Sequence, residues 1–481
     1  MRLPTSRWGS DVALWWLIAL AALARLASLG LYPLMDKTEA RYAEIARKMV
    51  QTGDWVTPWF DHGVPFWGKP PLSFWMTAAS FRVMGFSEFA ARLPHWLGAC
   101  AIAWLVWGWL ARRSRREAVI ALVLTTTSAA FLVAAGAVMT DMALAVGTTM
   151  ALRGFWLGLH GDPAGRLREQ AVFFAGLAIG LLAKGPIAAV LVGVPLAVWT
   201  LYSGKLGLVV REIRWVTGTL LVAMLVVPWY VLAEVRTPGF LEYFVVGEHW
   251  HRFVTPGWSG DLYGKAHAFP RGSIWPFAIA ACLPWSVLVP AAALRWRRTA
   301  LPIPVADRPL KLYLLLWALT PCVFFSLAGN ILWTYVLPGL PALAILASLW
   351  LAHLPRREPV NRLLAGGVAS MVLGIGTAVV AINVGGWADK ASTRDLVADY
   401  DRHREDGQAL VFLGSRPASA AFYSRGRAEQ VCCADELAAR LAHGVVYVAM
   451  KDGAFNQLPA EVVRRLQSVS RRGSYALYRA S

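Results

Sequence analysis

Met35-Asp36-Lys37-Thr38-Glu39-Ala40-Arg41-Tyr42-Ala43-Glu44-Ile45-Ala46-Arg47-Lys48-Met49 is the stretch from which the chain can be read. An apolar run ends at Met35, and Asp36 follows at once. Tyr42, Ile45, Ala46 and Met49 then recur at i, i+3, i+4 and i+7, which predicts a short helix with one apolar stripe. Arg41, Glu44 and Lys48 line another face. A carboxylate where a membrane span meets water, followed by a basic interfacial helix, is the pattern of an active-site rim.

The run before Asp36 is one of many. Of the 481 residues, 57% are hydrophobic and only 16% charged, against about a quarter charged in a soluble chain. Apolar runs near the spanning length fall at roughly 12–34, 89–110, 118–135, 138–159, 171–185, 186–203, 215–234, 275–294, 311–328, 331–353 and 362–385. Eleven to thirteen transmembrane helices are expected: a mainly α, polytopic membrane protein. The net charge of +18 lies mostly in short loops, so it reads as topology and contact with anionic lipid, not nucleic acid. The 24 tryptophans fit interfacial belts. The first span is long enough to stay as an anchor, so no cleaved leader is expected. Cys100, Cys282, Cys322, Cys432 and Cys433 show no metal-ligand spacing and no disulfide framework.

Arginines fix the orientation. Arg2 and Arg7 precede the first span, and every even-numbered span is followed by a basic loop, such as Arg112-Arg113 or Arg356-Arg357. Those loops and the N-terminus are expected in the cytoplasm. The opposite face then holds the first outer loop 36–88, Asp141, the Ala183-Lys184-Gly185-Pro186 turn, the large outer loop 235–274, Asn330 and the C-terminus. The unusual polar residues all gather there. Residues 1–387 read as the membrane domain. Residues 388–481 read as a small extracytoplasmic α/β domain, with strands at 409–413, 445–449 and 475–478 and helices at 435–441 and 459–466. There is no nucleotide-binding glycine fingerprint and no internal repeat.

Each candidate has two readings. Asp36-x-x-Glu39 is a capping box, so Asp36 either caps the next helix or acts as a general base. Lys69, in Gly68-Lys69-Pro70-Pro71, is a phosphate-binding point charge or a snorkelling lysine. Arg252 offers bidentate contacts to phosphate or belongs to a polar loop helix. His249 and His251 are weak evidence for metal. Asp141 and Lys184 are functional intramembrane charges or snorkelling helix ends. Tyr335 is a hydroxyl at the same level or a belt tyrosine.

Taken together, Glu39-Ala40-Arg41-Tyr42-Ala43-Glu44-Ile45-Ala46, Gly53-Asp54-Trp55, Gly68-Lys69-Pro70-Pro71, Phe89-Ala90-Ala91-Arg92-Leu93-Pro94, Thr140-Asp141-Met142, Ala183-Lys184-Gly185-Pro186, Glu248-His249-x-x-Arg252-Phe253 and Tyr335-x-Leu337-Pro338 resemble one family in order. It is the polyprenyl-phosphate-sugar-dependent glycosyltransferases of GT-C fold, nearest to the aminoarabinose transferases of bacterial lipid A, with protein O-mannosyltransferases more distant. The resemblance implies an inverting sugar transfer from a polyprenyl phosphate at the outer face of a bacterial inner membrane. Lipid A, a glycan or a protein would be the acceptor. Asp36 matches the catalytic acid residue, Arg41, Lys69 and Arg252 match cations near the lipid phosphate, and Tyr335 matches a tyrosine of the lipid cavity. Asp141 and Lys184 join them as substrate-binding candidates. The lipid A enzymes usually carry Glu before the Lys-Pro pair and His before Glu-His, positions tied to a bound metal. Gly68 and Gly247 stand there instead, so neither a structural metal nor a cofactor is expected. The competing reading is a flippase of polyprenyl-linked sugars. Such transporters place charges near the midplane and show inverted repeats, and this sequence shows neither.

Overall fold

The computed structural model describes residues 9–264, 267–296, 307–442 and 444–480. Arg2, Arg7, Arg297 and Arg298, which carry part of the topology reading, lie outside the described residues. The chain forms two compact units. The first comprises residues 1–27, 54–76 and 92–374; the second comprises 28–53, 77–91 and 375–481.

The first unit is helical. Each of the eleven expected spans falls on helix. Among the described residues, six helices are long and apolar enough to cross a membrane alone. Ile274–Ala281 and Trp285–Trp296, bent by 81° to each other, make a seventh if taken as one span. The run at 118–135 is broken into Arg115–Thr126 and Ala129–Ala134. The run at 331–353 opens as a 3₁₀ turn, Trp333–Gly339, before the α-helix Leu340–Leu351. Trp215–Arg236 shows Val216, Leu220 and Met224 bare. A face this apolar has no place in water and marks a lipid-facing helix.

The tightest pair is Thr140–His160 against Arg166–Lys184. Small residues let membrane helices approach closely, and glycines do so here. A Cβ on Gly147 would stand 2.6 Å from the Gly180 nitrogen, and one on Gly176 would stand 2.5 Å from the Ala151 nitrogen. Ion pairs close the seam: Lys184 to Asp141 at 2.7 Å and Arg153 to Glu169 at 2.6 Å. Gly176→Leu must therefore part the helices. Overpacking of this kind costs about 1–3 kcal/mol, and a lower unfolding midpoint in detergent is the expected readout. An unchanged midpoint would contradict the close seam.

The second unit is built on a mixed sheet. Among the described residues its strand order is Ala428–Val431, Ala409–Leu413, Val446–Lys451, Tyr475–Ala480, Leu466–Arg472. The first three strands are parallel and the last two antiparallel. Alternation explains its two cores. Leu410, Phe412, Tyr447 and Leu477 face Leu396, Val397 and Tyr400, while Val411, Val448 and Met450 face Leu437, Leu441 and Val462. Burial on both faces suits the parallel part. Two strands beyond the three expected from the sequence complete the sheet.

The helix after Asp36 spans Thr38–Thr52 and packs on Ala418–Tyr423 within this unit. It is not the basic interfacial helix expected from its charges. Glu44, Arg47 and Lys48 are buried along with the apolar stripe. Arg47 is satisfied by both Glu44 oxygens, at 2.6 and 2.8 Å. Pairing at i, i+3 inside the helix removes the charged face that period alone had placed in water.

Candidate active site

The Phe66–Pro71 segment follows a small hairpin, Trp59–Asp61 with Val64–Pro65. Tyr263 fixes the segment by accepting from the Trp67 amide and donating to the Pro65 carbonyl, at 2.9 and 2.8 Å. Lys69 is thereby aimed at Glu248, with which it forms an ion pair. Arg252 reaches both Glu248 oxygens, at 2.9 and 2.8 Å, and lies 3.3 Å from Asp261. Burial would raise the Glu248 carboxyl, but the Lys69 and Arg252 cations outweigh it and hold it below the usual range. Burial likewise works against the Arg252 charge, and Glu248 reverses this and raises it.

Asn330 sets the backbone of this loop. Its Nδ2 donates to the Arg252 and Thr255 carbonyls at 2.6 and 2.7 Å, and its Oδ1 accepts from the Gly257 amide at 3.0 Å. A lysine could not make the acceptor half of this clamp. Lys184, paired with Asp141, also lies 4.2 Å from the Tyr335 ring centre, a cation–π distance. Tyr335 is near enough to act electrostatically on Arg252. Lys69, Arg252, Asp141, Lys184 and Tyr335 thus form one network in the first unit. Glu248 and Asp261, which hold its centre, were missed as site residues; the i, i+4 spacing of Glu248 to Arg252 was the available signal.

Asp36 and Arg41 belong to the second unit, where Arg41 acts electrostatically on Asp36. The capping-box reading of Asp36 is overturned. The N-cap of the Thr38–Thr52 helix is Lys37, without a side-chain cap bond. Glu39 accepts from the Met35 amide at 3.0 Å. Asp36 instead faces Ser419, whose amide donates to Oδ1 at 2.9 Å and whose hydroxyl donates to Oδ2. Burial raises the Asp36 carboxyl above the usual range, and the Ser419 bonds pull it only part of the way back.

A metal of the kind the family resemblance ties to positions 68 and 247 does not fit there. A Cβ on Gly68 would stand 2.9 Å from the Phe66 ring, and one on Gly247 would stand 3.0 Å from the Trp258 ring. Aromatic carbon fills the space a ligating side chain would need. Glu248 is committed to two cations. Both ring nitrogens of His249 face carbonyls, of Phe244 at 2.7 Å and of Lys184 at 3.2 Å; burial favours the neutral ring, which donates from one of them. Among the described residues, three potential ligand atoms gather at Cys432, Cys433 and Glu436, exposed on the second unit and apart from these side chains in sequence.

The profile of dolichyl-phosphate-mannose-protein mannosyltransferases matches residues 15–244. The undecaprenyl phosphate-alpha-4-amino-4-deoxy-L-arabinose arabinosyl transferase of Shewanella sediminis is 32% identical over 330 residues, covering 67% of this chain and 56% of that protein. A Pseudomonas fluorescens transferase of the same description is 30% identical, over 64% of this chain and 52% of that protein. The crystal structure of ArnT from Cupriavidus metallidurans bound to undecaprenyl phosphate superposes with a TM-score of 0.80 at 22% identity, covering 97% of this chain and 98% of that one. The chain is a GT-C-fold relative of the polyprenyl-phosphate-sugar glycosyltransferases. The Archaeoglobus fulgidus oligosaccharyltransferase in its apo form shares the fold more loosely, with a TM-score of 0.51 at 12% identity, over 93% of this GT-C chain and 70% of that one. This GT-C chain spans a little more than half the length of the two transferases it matches in sequence.

Proposed function

We propose that the protein transfers a sugar from a polyprenyl phosphate to an acceptor at the outer face of a bacterial inner membrane, with inversion at the anomeric carbon. In this reading the N-terminus is cytoplasmic and the region from about residue 388 is periplasmic. The observation that carries the proposal is the network of part-buried Lys69 and Arg252 with buried Lys184. When the sugar leaves, negative charge grows on the lipid phosphate. Cations fixed beforehand in a water-poor site stabilise that charge without reorganising. Tyr335 lies beside Lys184 and Arg252 at the phosphate end. Asp36, with Arg41 beside it, takes the acceptor proton or orients an anionic acceptor. An apolar cavity of about 380 Å³, lined by Trp275, Cys282, Trp285, Leu319, Cys322 and Leu343, supports an isoprenoid ligand. The relatives are named for an undecaprenyl phosphate-linked sugar, which supports a polyprenyl phosphate sugar as the donor.

Mass spectrometry of lipid A and envelope glycans, with and without the gene, names the product. A lost pentose, hexose or uronic acid supports the proposal, and no change in any glycoconjugate refutes it. Lys69→Ala is expected to lower transfer about 10²–10³-fold, the usual loss on removing one oxyanion-stabilising group. If Lys69→Ala instead blocks movement of the lipid-linked sugar across vesicles that never show transfer, the protein is a flippase.

A further inference from the structure

Asp36 carries the acceptor step in the proposed transfer, and the role assigned to its neighbour rests on that reading. The neighbour lies 383 residues away. We propose that Ser419 is a positioning residue for Asp36, at the end of a hydrogen-bond relay running Thr393 to Ser419 to Asp36.

The direction of the relay follows from proton counting. A hydroxyl has one proton and two lone pairs. The Thr393 amide donates to Ser419 Oγ at 3.0 Å, and Thr393 Oγ1 lies 2.8 Å from the same oxygen. An ionised Asp36 can only accept, so the Ser419 proton points to Asp36 Oδ2. Both Ser419 lone pairs are then taken by Thr393, through its amide and its hydroxyl. The Ser419 hydroxyl is fully used, and the residue is wholly buried, at 0% exposure. Hydrogen bonds in series strengthen one another, and those to an ion are the strong ones.

The arrangement has two effects. Ser419 holds the two oxygens of Asp36 with two different donors, so the carboxylate plane cannot rotate. It also favours the ionised form against the cost of burial. The Ala418 amide also faces the carboxylate, and of its four lone-pair sites one stays open for an incoming acceptor proton. The Asp36 amide adds a further anchor, donating to the Ala391 carbonyl at 2.8 Å. Residues 391, 393 and 419 therefore all serve a carboxylate that lies near the other end of the sequence.

The test is carbodiimide labelling of Asp36 in the purified full-length chain, read by peptide mass spectrometry across a pH series. Carbodiimide reacts with the protonated carboxyl, and Asp36→Asn supplies the blank. In Ser419→Ala the labelling midpoint should move to higher pH by about 1, as expected on losing a hydrogen bond to the charged form. Thr393→Val, which keeps the amide donor and removes the hydroxyl, should move it less and in the same direction. If Ser419→Ala fails to fold, Thr393→Val decides alone. An unmoved midpoint in the folded variants overturns the relay. Loss of transfer in Asp36→Asn tests the assignment of Asp36 separately, so the two ideas fail independently.

Discussion

Asp36→Asn should lower sugar transfer by about 10²–10⁴-fold, the range spanned by loss of a positioned general base. The variant should still insert and fold, because Asp36 is not the cap of the helix beside it. Burial raises the Asp36 carboxyl above its ordinary range despite two bonds from Ser419. The ionised, working form is thus populated only above that raised value. Wild-type transfer should rise with pH through it and fall as the pH drops. Stability runs the opposite way: the folded chain holds this proton more tightly than the unfolded chain. Stability therefore declines as pH rises between the unfolded and folded values. Asp36→Asn should remove both dependences. Full activity in Asp36→Asn, measured by transfer in reconstituted vesicles, would end the base assignment.

Glu248→Gln should be the most destabilising single change in the cation network. The Glu248 side chain is 5% exposed and joins Lys69 to Arg252. Without its charge, Arg252 keeps Asp261 as an ion partner, while Lys69 is left with the Gly68 carbonyl among the described residues. Removing one partner of a buried ion pair typically costs about 3–5 kcal/mol, mostly from the charge left behind. The readout is the unfolding midpoint in detergent, and added undecaprenyl phosphate should restore part of the loss by replacing the missing anion. Glu248 is held below the usual carboxylate range. Its contribution is present above the ordinary value and disappears as pH falls through the lowered one. A midpoint equal to wild type would mean that solvent already screens these cations.

The spans were legible because lipid demands long apolar helices whatever their order. All eleven apolar runs lie on helix, including those broken at Thr127-Ser128 and bent after Ala281, while six or seven helices among the described residues are long and apolar enough to cross a membrane, against the eleven to thirteen expected. The cations were legible as candidates: Lys69 and Lys184 are charges among apolar neighbours, and Arg252 closes the Glu248-His249-x-x-Arg252 pattern. Their carboxylates were harder to see. Asp261 sits in a long loop whose path no period dictates, and Glu248 looked like part of a motif, not its hub. Asp36 shows the limit most clearly. A local rule, the capping box, assigned it to the nearest helix, while its real partner, Ser419, lies in a segment with no sequence link to it. The charges at 44, 47 and 48 misled for a related reason. Helical period reports faces, but it does not report that a helix is covered on nearly every side.

Lys69, Arg252 and Lys184 are matched one for one by Glu248, Asp261 and Asp141. A bare triad of cations would be occupied by any soluble multivalent anion. This network has no net charge to attract one. An incoming phosphate has to displace carboxylates already seated, and a free ion at low concentration competes poorly. A phosphate tethered to a lipid in the same bilayer arrives at high effective concentration, so it can win the exchange. The carboxylates that seem to occupy the donor's place would then serve as a filter, admitting the membrane-bound phosphate and leaving the dissolved one outside.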